Sequence, residues 1–385
     1  MNVLFVSIDL FSIGGIQRYS RYLLDTLRRS PRVNGVGVAS LGATHSDGFE
    51  MPLRADLTGG RSIVRKLAFV AGCWRLGRAR RVSVVIVDHV NLAAVAWLYR
   101  LLTGTPYWLN VYAIEVWGPL SWLRRRALLG AACIVSDCDF TRRYLEERYP
   151  PLVSRIIVVP DCVDVDRFVP GTARGAQGAL PVLLTVSRLA EGRSKGHDAV
   201  LRALAALRTR GVDAAYVIAG DGPDRARLER LAAELGLADR VRVAGRVPDG
   251  DLPALYRECD VFVLVSAFQT DGAPQGEGVP LVVIEAGACG KPAITSALDG
   301  SAESVIHGET GFLVDPSDEA ALADALQRLL CDAPLRERMG VAARAFAERQ
   351  FSVRAFEFKI DGVIARFDRQ PDGGAMLGAT EELPR

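Results

Sequence analysis

Two glutamates, Glu277 and Glu285, stand with seven residues between them in the stretch QGEGVPLVVIEAGACG, residues 275–290. The first lies among glycines; the second ends an apolar run headed by Pro280. Proline suits a first helical turn, so the pattern predicts a turn at 277–280 and a helix from about Pro280. Backbone amides near Gly278–Val282, those of Leu281 and Val282 included, then form a cradle for an anion or a hydroxyl. Glu285 falls about one to two turns into that helix. A carboxylate there can accept bonds from two vicinal hydroxyls, such as those of a ribose. Glu277, on the turn, can reach a sugar hydroxyl or sit under a developing positive charge. The plain alternative makes Glu277 an ordinary loop acid and Glu285 the partner of something buried.

Complementary charge is available elsewhere. In TVSRLAEGRSKGHDAV, Arg188 follows an apolar run and Lys195 stands just before a helical pattern. Cations at a strand end and a helix start can clamp a diphosphate from one side; a solvated loop pair is the plain reading. Near the start of the chain, NVLFVSI leads into DLFSIGGIQR. Gly14 and Gly15 let the backbone approach a bound group at the positive end of the following helix. That suits a phosphate, and equally a tight turn. It is not the GxGxxG dinucleotide fingerprint.

These groups need a scaffold, and its pattern is legible. Apolar runs of strand length alternate with amphipathic stretches: NVLFVSI, VSVVIVDH, YWLNVY, ACIVSD and RIIVVP in the first half, then VLLTVSRL, AAYVIAGDG, VRVAGRV, VFVLVSA and PAITS. Continuous apolar strands between helices predict parallel sheets covered on both faces, so the fold class is α/β. Two such series in 385 residues imply two doubly wound domains. They are expected over 1–170 and 175–350, with a boundary in the Gly-, Ala- and Pro-rich segment 165–181. A last helix at about 352–368 is expected to cross back to the first domain, and the tail 369–385 has little to bury. Facing domains of this kind bring their strand ends to a shared cleft, where such folds bind ligands.

Composition narrows the function classes. The opening MNVLFVSIDLF reads as a first strand rather than a leader. The longest apolar region, 82–102, carries Asp88, His89, Asn91 and Arg100, which argues against a membrane span. Seven scattered cysteines without a CxxC pair fit a reduced, cytoplasmic chain. Residues 1–170 hold 22 Lys and Arg against 14 Asp and Glu, a balance of +8 beside −6 for the rest. A basic first half suits an anionic acceptor or a membrane surface, although a preference for arginine explains it as simply. No aromatic-interleaved basic motif points to nucleic acid.

In their order along the chain, these segments resemble the retaining GT-B glycosyltransferases of family 4. Glu277 and Glu285 match that family's E-x7-E pair. GGIQR is similar to its donor-facing loop, and VVPDCVDVDRFVP to its PNGVDxxxFxP, with Asp161 and Cys162 in place of Asn and Gly. VSRL…KG, IAGDGP, VRVAGRV, YRECDVFVLVS and HGETGFLVDP fall in family order over nearly the whole chain. The resemblance implies a GT-B fold of two facing Rossmann-like domains, the first for an acceptor and the second for a nucleotide-sugar donor. It implies that Arg188 and Lys195 hold the donor diphosphate, helped by amides at Gly15, Leu281 and Val282. Glu285 would bind the ribose, backbone at Arg246 and Val247 would frame the base, and Glu277 with Gly278 and its turn would hold the transferred sugar. No cofactor or metal is implied: the cation pair can neutralise the leaving diphosphate, and no DxD ends a strand. The implied reaction keeps the anomeric configuration, the leaving phosphate taking the acceptor's proton on the same face.

Some positions depart from the family. Tyr112 and Ala113 stand where His and Gly are usual, which leaves His89, at another strand end, as the histidine to orient donor or acceptor; a structural histidine is the other reading. EGVP replaces the commoner EGFG, and the flexible AFQTDGAPQG just before it is placed to shape the sugar pocket. The acceptor is expected to be read by 43–60, 61–81 and 112–126, where RSIVRKLAFVAGCWRLGRARR and WGPLSWLRRR mix arginine with apolar residues. Such stretches fit a peripheral contact at the inner face of a membrane and a lipid-linked glycan or polysaccharide precursor. They also fit a natural-product acceptor, or plain helices packed on a sheet. Rivals from other classes are a nucleotide-sugar epimerase and a non-catalytic nucleotide-sugar-binding protein.

Overall fold

A computed structural model describes residues 1–10, 14–41, 53–54, 63–171, 180–190, 195–270, 272 and 274–368. The tail 369–385, much of the boundary segment, most of 43–62, residues 191–194 and two residues of AFQTDGAPQG lie outside them. The chain divides into two compact units, Met1–Asp161 with Phe356–Arg385, and Cys162–Ala355.

The first unit is built on seven parallel strands: β1 (Asn2–Ser7), β2 (Gly35–Ser40), β3 (Leu53–Arg54), β4 (Val84–Val87), β5 (Tyr107–Val111), β6 (Cys133–Ser136) and β7 (Ile156–Val158). Their order is β3-β2-β1-β4-β5-β6-β7. Val3 to Val6 pair with Val84 to Val87, so the ends of β1 and β4 lie side by side where the order reverses. β2 and β3 were not expected from the sequence: glycine interrupts GVGVAS, and β3 is two residues long. The helix Gly15–Arg29 buries Tyr19, Leu23, Leu24 and Leu27, the spacing of one helical face, and closes with Arg28 and Arg29 at its negative end.

The second unit repeats the design with β8 (Val182–Val186), β9 (Ala215–Ala219), β10 (Val241–Gly245), β11 (Val261–Leu264), β12 (Ala293–Ser296) and β13 (Gly311–Val314), ordered β10-β9-β8-β11-β12-β13 and all parallel. Its core joins Leu183, Ile218 and Val263 of the sheet to Leu204 and Leu326 of the covering helices. The order reverses between β8 and β11.

Residues 162–170, expected with the first domain, belong instead to the second unit. The reason is bonding: Val163 N–H donates to Phe351 O at 2.8 Å, and Arg167 pairs with Asp249 at 2.8 Å. The last helix is Val353–Asp368, and from Phe356 onward it groups with the first unit. There Phe356 meets Tyr19 edge-on at 5.1 Å and Phe367 stacks on Trp108 at 6.3 Å. All seven cysteines are free thiols. Among the described residues, no helix is long and apolar enough to cross a membrane.

Candidate functional site

In an open parallel sheet, ligands bind beyond the carboxyl ends of the strands where the order reverses. In the second unit that place is the end of β8 and β11. Arg188 is exposed just past β8. Lys195 precedes the helix His197–Thr209, and Gly196 joins them with φ 74°. A Cβ on Gly196 would lie 2.1 Å from Val265 O, so only glycine lets the helix start press against the end of β11. This places the Lys195 ammonium in an ion pair with Glu277 Oε1. Both side chains are about one-fifth exposed, at 22% and 19%. Ser266 Oγ, just past β11, donates to the same oxygen at 2.9 Å.

The Glu277 turn is fixed from behind. Its N–H donates to Asp299 Oδ2 at 2.8 Å, and its carbonyl accepts from Gly300 N–H at 3.0 Å. Asp299 is buried, and burial pushes its carboxyl up to about 6. The helix that follows is Leu281–Ala288, with Pro280 at its N-cap. Leu281 is buried, while Gly278 and Val282 are half-buried. Glu285 faces inward with 1% exposure, and Tyr256 O–H donates to its Oε2 at 2.7 Å.

The neighbouring loops are pressed together through their backbones. A Cβ on Gly220 would meet Ser187 O at 1.7 Å, and one on Gly222 would meet Leu189 O at 2.2 Å. The IAGDGP loop thus lies flat against the loop that carries Arg188. Past β10, Arg246 is exposed and Val247 half-buried. His197 stands under this surface, its ring nitrogens 3.0 Å from Ser187 Oγ and 3.0 Å from Tyr216 OH. Burial pushes it down to about 4, so at neutral pH it braces two strands as an uncharged ring.

The first unit has its own strand-end cluster where β1 meets β4. Asp88 is buried and accepts from Ser7 Oγ, from Ile8 N–H at 3.1 Å and from Ser20 Oγ at 3.1 Å. Burial pushes its carboxyl up to about 7 despite those bonds. Next to it, His89 Nδ1 accepts from Asn91 N–H at 3.1 Å, which puts the proton of the neutral ring on Nε2. Burial lowers its basicity, with Arg124 adding to that and Glu115 opposing it. The Tyr112 and Ala113 amides are both taken by Glu115, at 2.6 and 3.0 Å. Tyr112 itself is buried edge-on against Tyr19 at 5.4 Å. Gly14 and Gly15 open the helix Gly15–Arg29 and are exposed.

The structure therefore joins two residues that the sequence had set to separate tasks, Lys195 and Glu277, and holds Glu285 apart on Tyr256. It adds Asp88, Ser266 and Asp299, which no spacing in the sequence links to the groups they touch, and Glu115, which reaches back to the amides two and three residues before it. Asp88 is the one with a signal, an acid immediately before a strand-end histidine. Among the described residues, no three His, Cys, Asp or Glu side chains gather as metal ligands.

Comparison with known proteins agrees with this architecture. Residues 14–162 match the glycosyl transferase 4-like domain, and residues 173–346 match the family described as glycosyl transferases group 1. The chain is similar to the GDP-mannose-dependent α-(1-6)-phosphatidylinositol monomannoside mannosyltransferases of Mycolicibacterium smegmatis and Mycobacterium tuberculosis. Identity to the first is 35% over 227 residues, 56% of this chain and 59% of that protein. Identity to the second is 34% over 272 residues, 68% and 69% of the two chains. Among solved structures, the sucrose-phosphate synthase of Thermosynechococcus elongatus superposes with a TM-score of 0.75 at 21% identity, over 95% of this chain and 98% of that one. With two parallel-sheet units, both family matches and a relative of this closeness, the chain belongs to the group 1 glycosyl transferases, family 4, and is a glycosyltransferase of GT-B fold.

Proposed function

We propose that the enzyme moves a sugar from a GDP- or UDP-sugar to an acceptor hydroxyl, with retention at the anomeric carbon and without a metal ion. One observation carries this reading: the Lys195–Glu277 pair at the β8/β11 reversal, partly open to solvent. An ammonium and a carboxylate in contact there offer what the two halves of a sugar nucleotide need. As the sugar–phosphate bond breaks, positive charge grows on the sugar and negative charge on the departing diphosphate. Lys195, with Arg188 and the amides of Leu281 and Val282, stabilises the diphosphate. Glu277 gives up its bond to Lys195 and accepts sugar hydroxyls, Gly278 and the turn closing round them. Glu285 receives the ribose, and Arg246 and Val247 flank the base. His89, with its proton on Nε2, donates to a donor or acceptor oxygen. The departing phosphate oxygen takes the acceptor's proton on the same face, which preserves the configuration.

The mannosyltransferase relatives favour GDP-mannose as donor and a lipid-linked acceptor. For the second point the first unit adds its surface. Trp122 and Leu123 are exposed next to Arg124, Arg125 and Arg126, Leu101 and Leu102 are exposed on the helix Ala93–Thr103, and Trp97 of that helix meets Trp122 edge-on at 6.2 Å. Exposed leucine and tryptophan among arginines suit the headgroup region of an anionic bilayer.

The test is a thermal-shift panel of UDP, GDP, ADP, TDP, their sugar adducts and NADH, without added metal. A shift with one nucleotide and a larger one with its sugar adduct is expected. A response to NADH alone, or only when metal is added, overturns the reading. Sedimentation with anionic and neutral vesicles tests the surface, with binding expected to the anionic ones and to weaken in Trp122→Ser.

A further inference from the structure

Asp299 lies outside the E-x7-E pair and is 22 residues from Glu277, yet it holds that residue's backbone. Its Oδ2 accepts the Glu277 N–H at 2.8 Å, while its Oδ1 accepts Ser301 N–H at 3.0 Å and starts the short helix Gly300–Ser304. The next residue closes the other side: Gly300 N–H donates to Glu277 O at 3.0 Å. Gly300 also comes so near that a Cβ on it would lie 2.7 Å from the Gly278 carbonyl. Both polar groups of the Glu277 peptide are thus bonded to one dipeptide, Asp299–Gly300, while its side chain points the other way, to Lys195 and Ser266.

We infer that Asp299 is a positioning residue for sugar transfer, its ionised carboxylate setting where Glu277 meets the donor's sugar. This rests on the reading of Glu277 given above. The ionised form matters because only it offers an acceptor on each oxygen. A protonated carboxyl, or an asparagine, keeps one good acceptor and must release either the Glu277 or the Ser301 amide. Asp299 is 2% exposed, and burial with the nearby charge of Glu277 raises its carboxyl to about 6. Lys195 pairs with the Glu277 side chain, and Glu303 lies in the first turn of the short helix that Asp299 caps. The clamp is therefore complete above about pH 6 and loosens below it.

Calorimetric titration of the full chain with GDP, UDP, GDP-mannose and UDP-glucose, between about pH 5 and pH 8, tests this. In Asp299→Asn the affinity for the sugar nucleotide is expected to fall about tenfold at about pH 7.5, while that for the bare nucleotide changes by less than about twofold. Wild type is expected to approach the variant's value as pH falls through about 6, and the variant to stay level. Gly300→Ala, which pushes the same turn without touching Asp299, should show the same selective loss. Wild-type affinity and pH course in Asp299→Asn, beside a damaged Glu277→Gln, would mean that Asp299 is only structural and the inference is wrong. If Glu277→Gln keeps the full sugar-dependent affinity, or if wild type binds neither sugar nucleotide, the reading of Glu277 fails and takes this one with it. Should Asp299→Asn not fold, wild type decides alone: no weakening between about pH 7 and pH 5 overturns the inference.

Discussion

Tyr256 donates a 2.7 Å hydrogen bond to Glu285, and both side chains are almost wholly withdrawn from solvent, at 0% and 1% exposure. Tyr256 is itself wedged between Phe168 and Phe262, with ring centroids 5.9 and 5.8 Å away. Tyr256→Phe keeps that packing and removes one partner of a buried carboxylate. A loss of about 1–3 kcal/mol in unfolding free energy is expected. Nucleotide affinity should fall with it, and Glu285→Ala should weaken nucleotide binding further. Denaturant unfolding and calorimetry with GDP check both; an unchanged unfolding midpoint in Tyr256→Phe would contradict the bond's contribution.

Lys195 is partly open to solvent beside Glu277 and Ser266. Lys195→Ala should leave the fold nearly intact, because the pair it removes is partly solvated. It should weaken nucleotide-diphosphate binding by about 30-fold, the equivalent of about 2 kcal/mol for a lost charged contact. Titration with GDP and GMP distinguishes a diphosphate contact from a general charge effect. Equal losses for the two would count against the clamp.

Asp88 sets a pH dependence of stability in the first unit. Its carboxyl is raised from 3.8 to about 7 by burial, so the folded state favours the protonated form. That contribution is complete below about pH 4 and is lost as pH rises through about 7. Asp88→Asn cannot ionise, so it should gain on wild type across that window, by about 2–4 kcal/mol at most. Melting curves at intervals from about pH 5 to pH 8 check the sign: the difference in Tm, variant minus wild type, should rise with pH.

Gly196 combines φ 74° with the close approach to Val265 O. Gly196→Ala should cost about 2 kcal/mol or more through the left-handed backbone and the clash. It should also move Lys195 off Glu277, so nucleotide affinity falls along with Tm. A Tm loss with unchanged GDP affinity would separate the helix start from the site.

Much of this was legible in the sequence because parallel strands buried on both faces are written as unbroken apolar runs. VLLTV, VFVL and AITS each became a strand of the second sheet where expected. Glycine hid β2, since GVGVAS lacks that run and only pairing with β1 makes it a strand. The two glutamates were visible through their spacing and the proline between them. What no spacing could reveal were contacts made across the fold: Asp299 reaches Glu277 over 22 residues, and Tyr256 reaches Glu285 over 29. Such pairs depend on which strand ends become neighbours, and that is decided by sheet order. The same order explains Tyr112. At a strand end buried against Tyr19, its ring fills the place where a histidine is usual in the family.

The helix Val353–Asp368 completes the first unit with residues made after the whole of the second. On the ribosome, Tyr19 and Trp108 are both made by the time the chain reaches Asp161, but the rings that cover them, Phe356 and Phe367, follow about 200 residues after that point. At usual elongation rates that is a wait of about 10–40 s. For that time the nascent first unit carries an uncapped aromatic surface, and the second unit can fold before the first is closed. A fragment ending at Asp161 would keep that surface bare permanently, so truncation there yields a sticky half-enzyme rather than an independent acceptor domain. Joining 356–368 to such a fragment by a short linker is the way to make it stand alone.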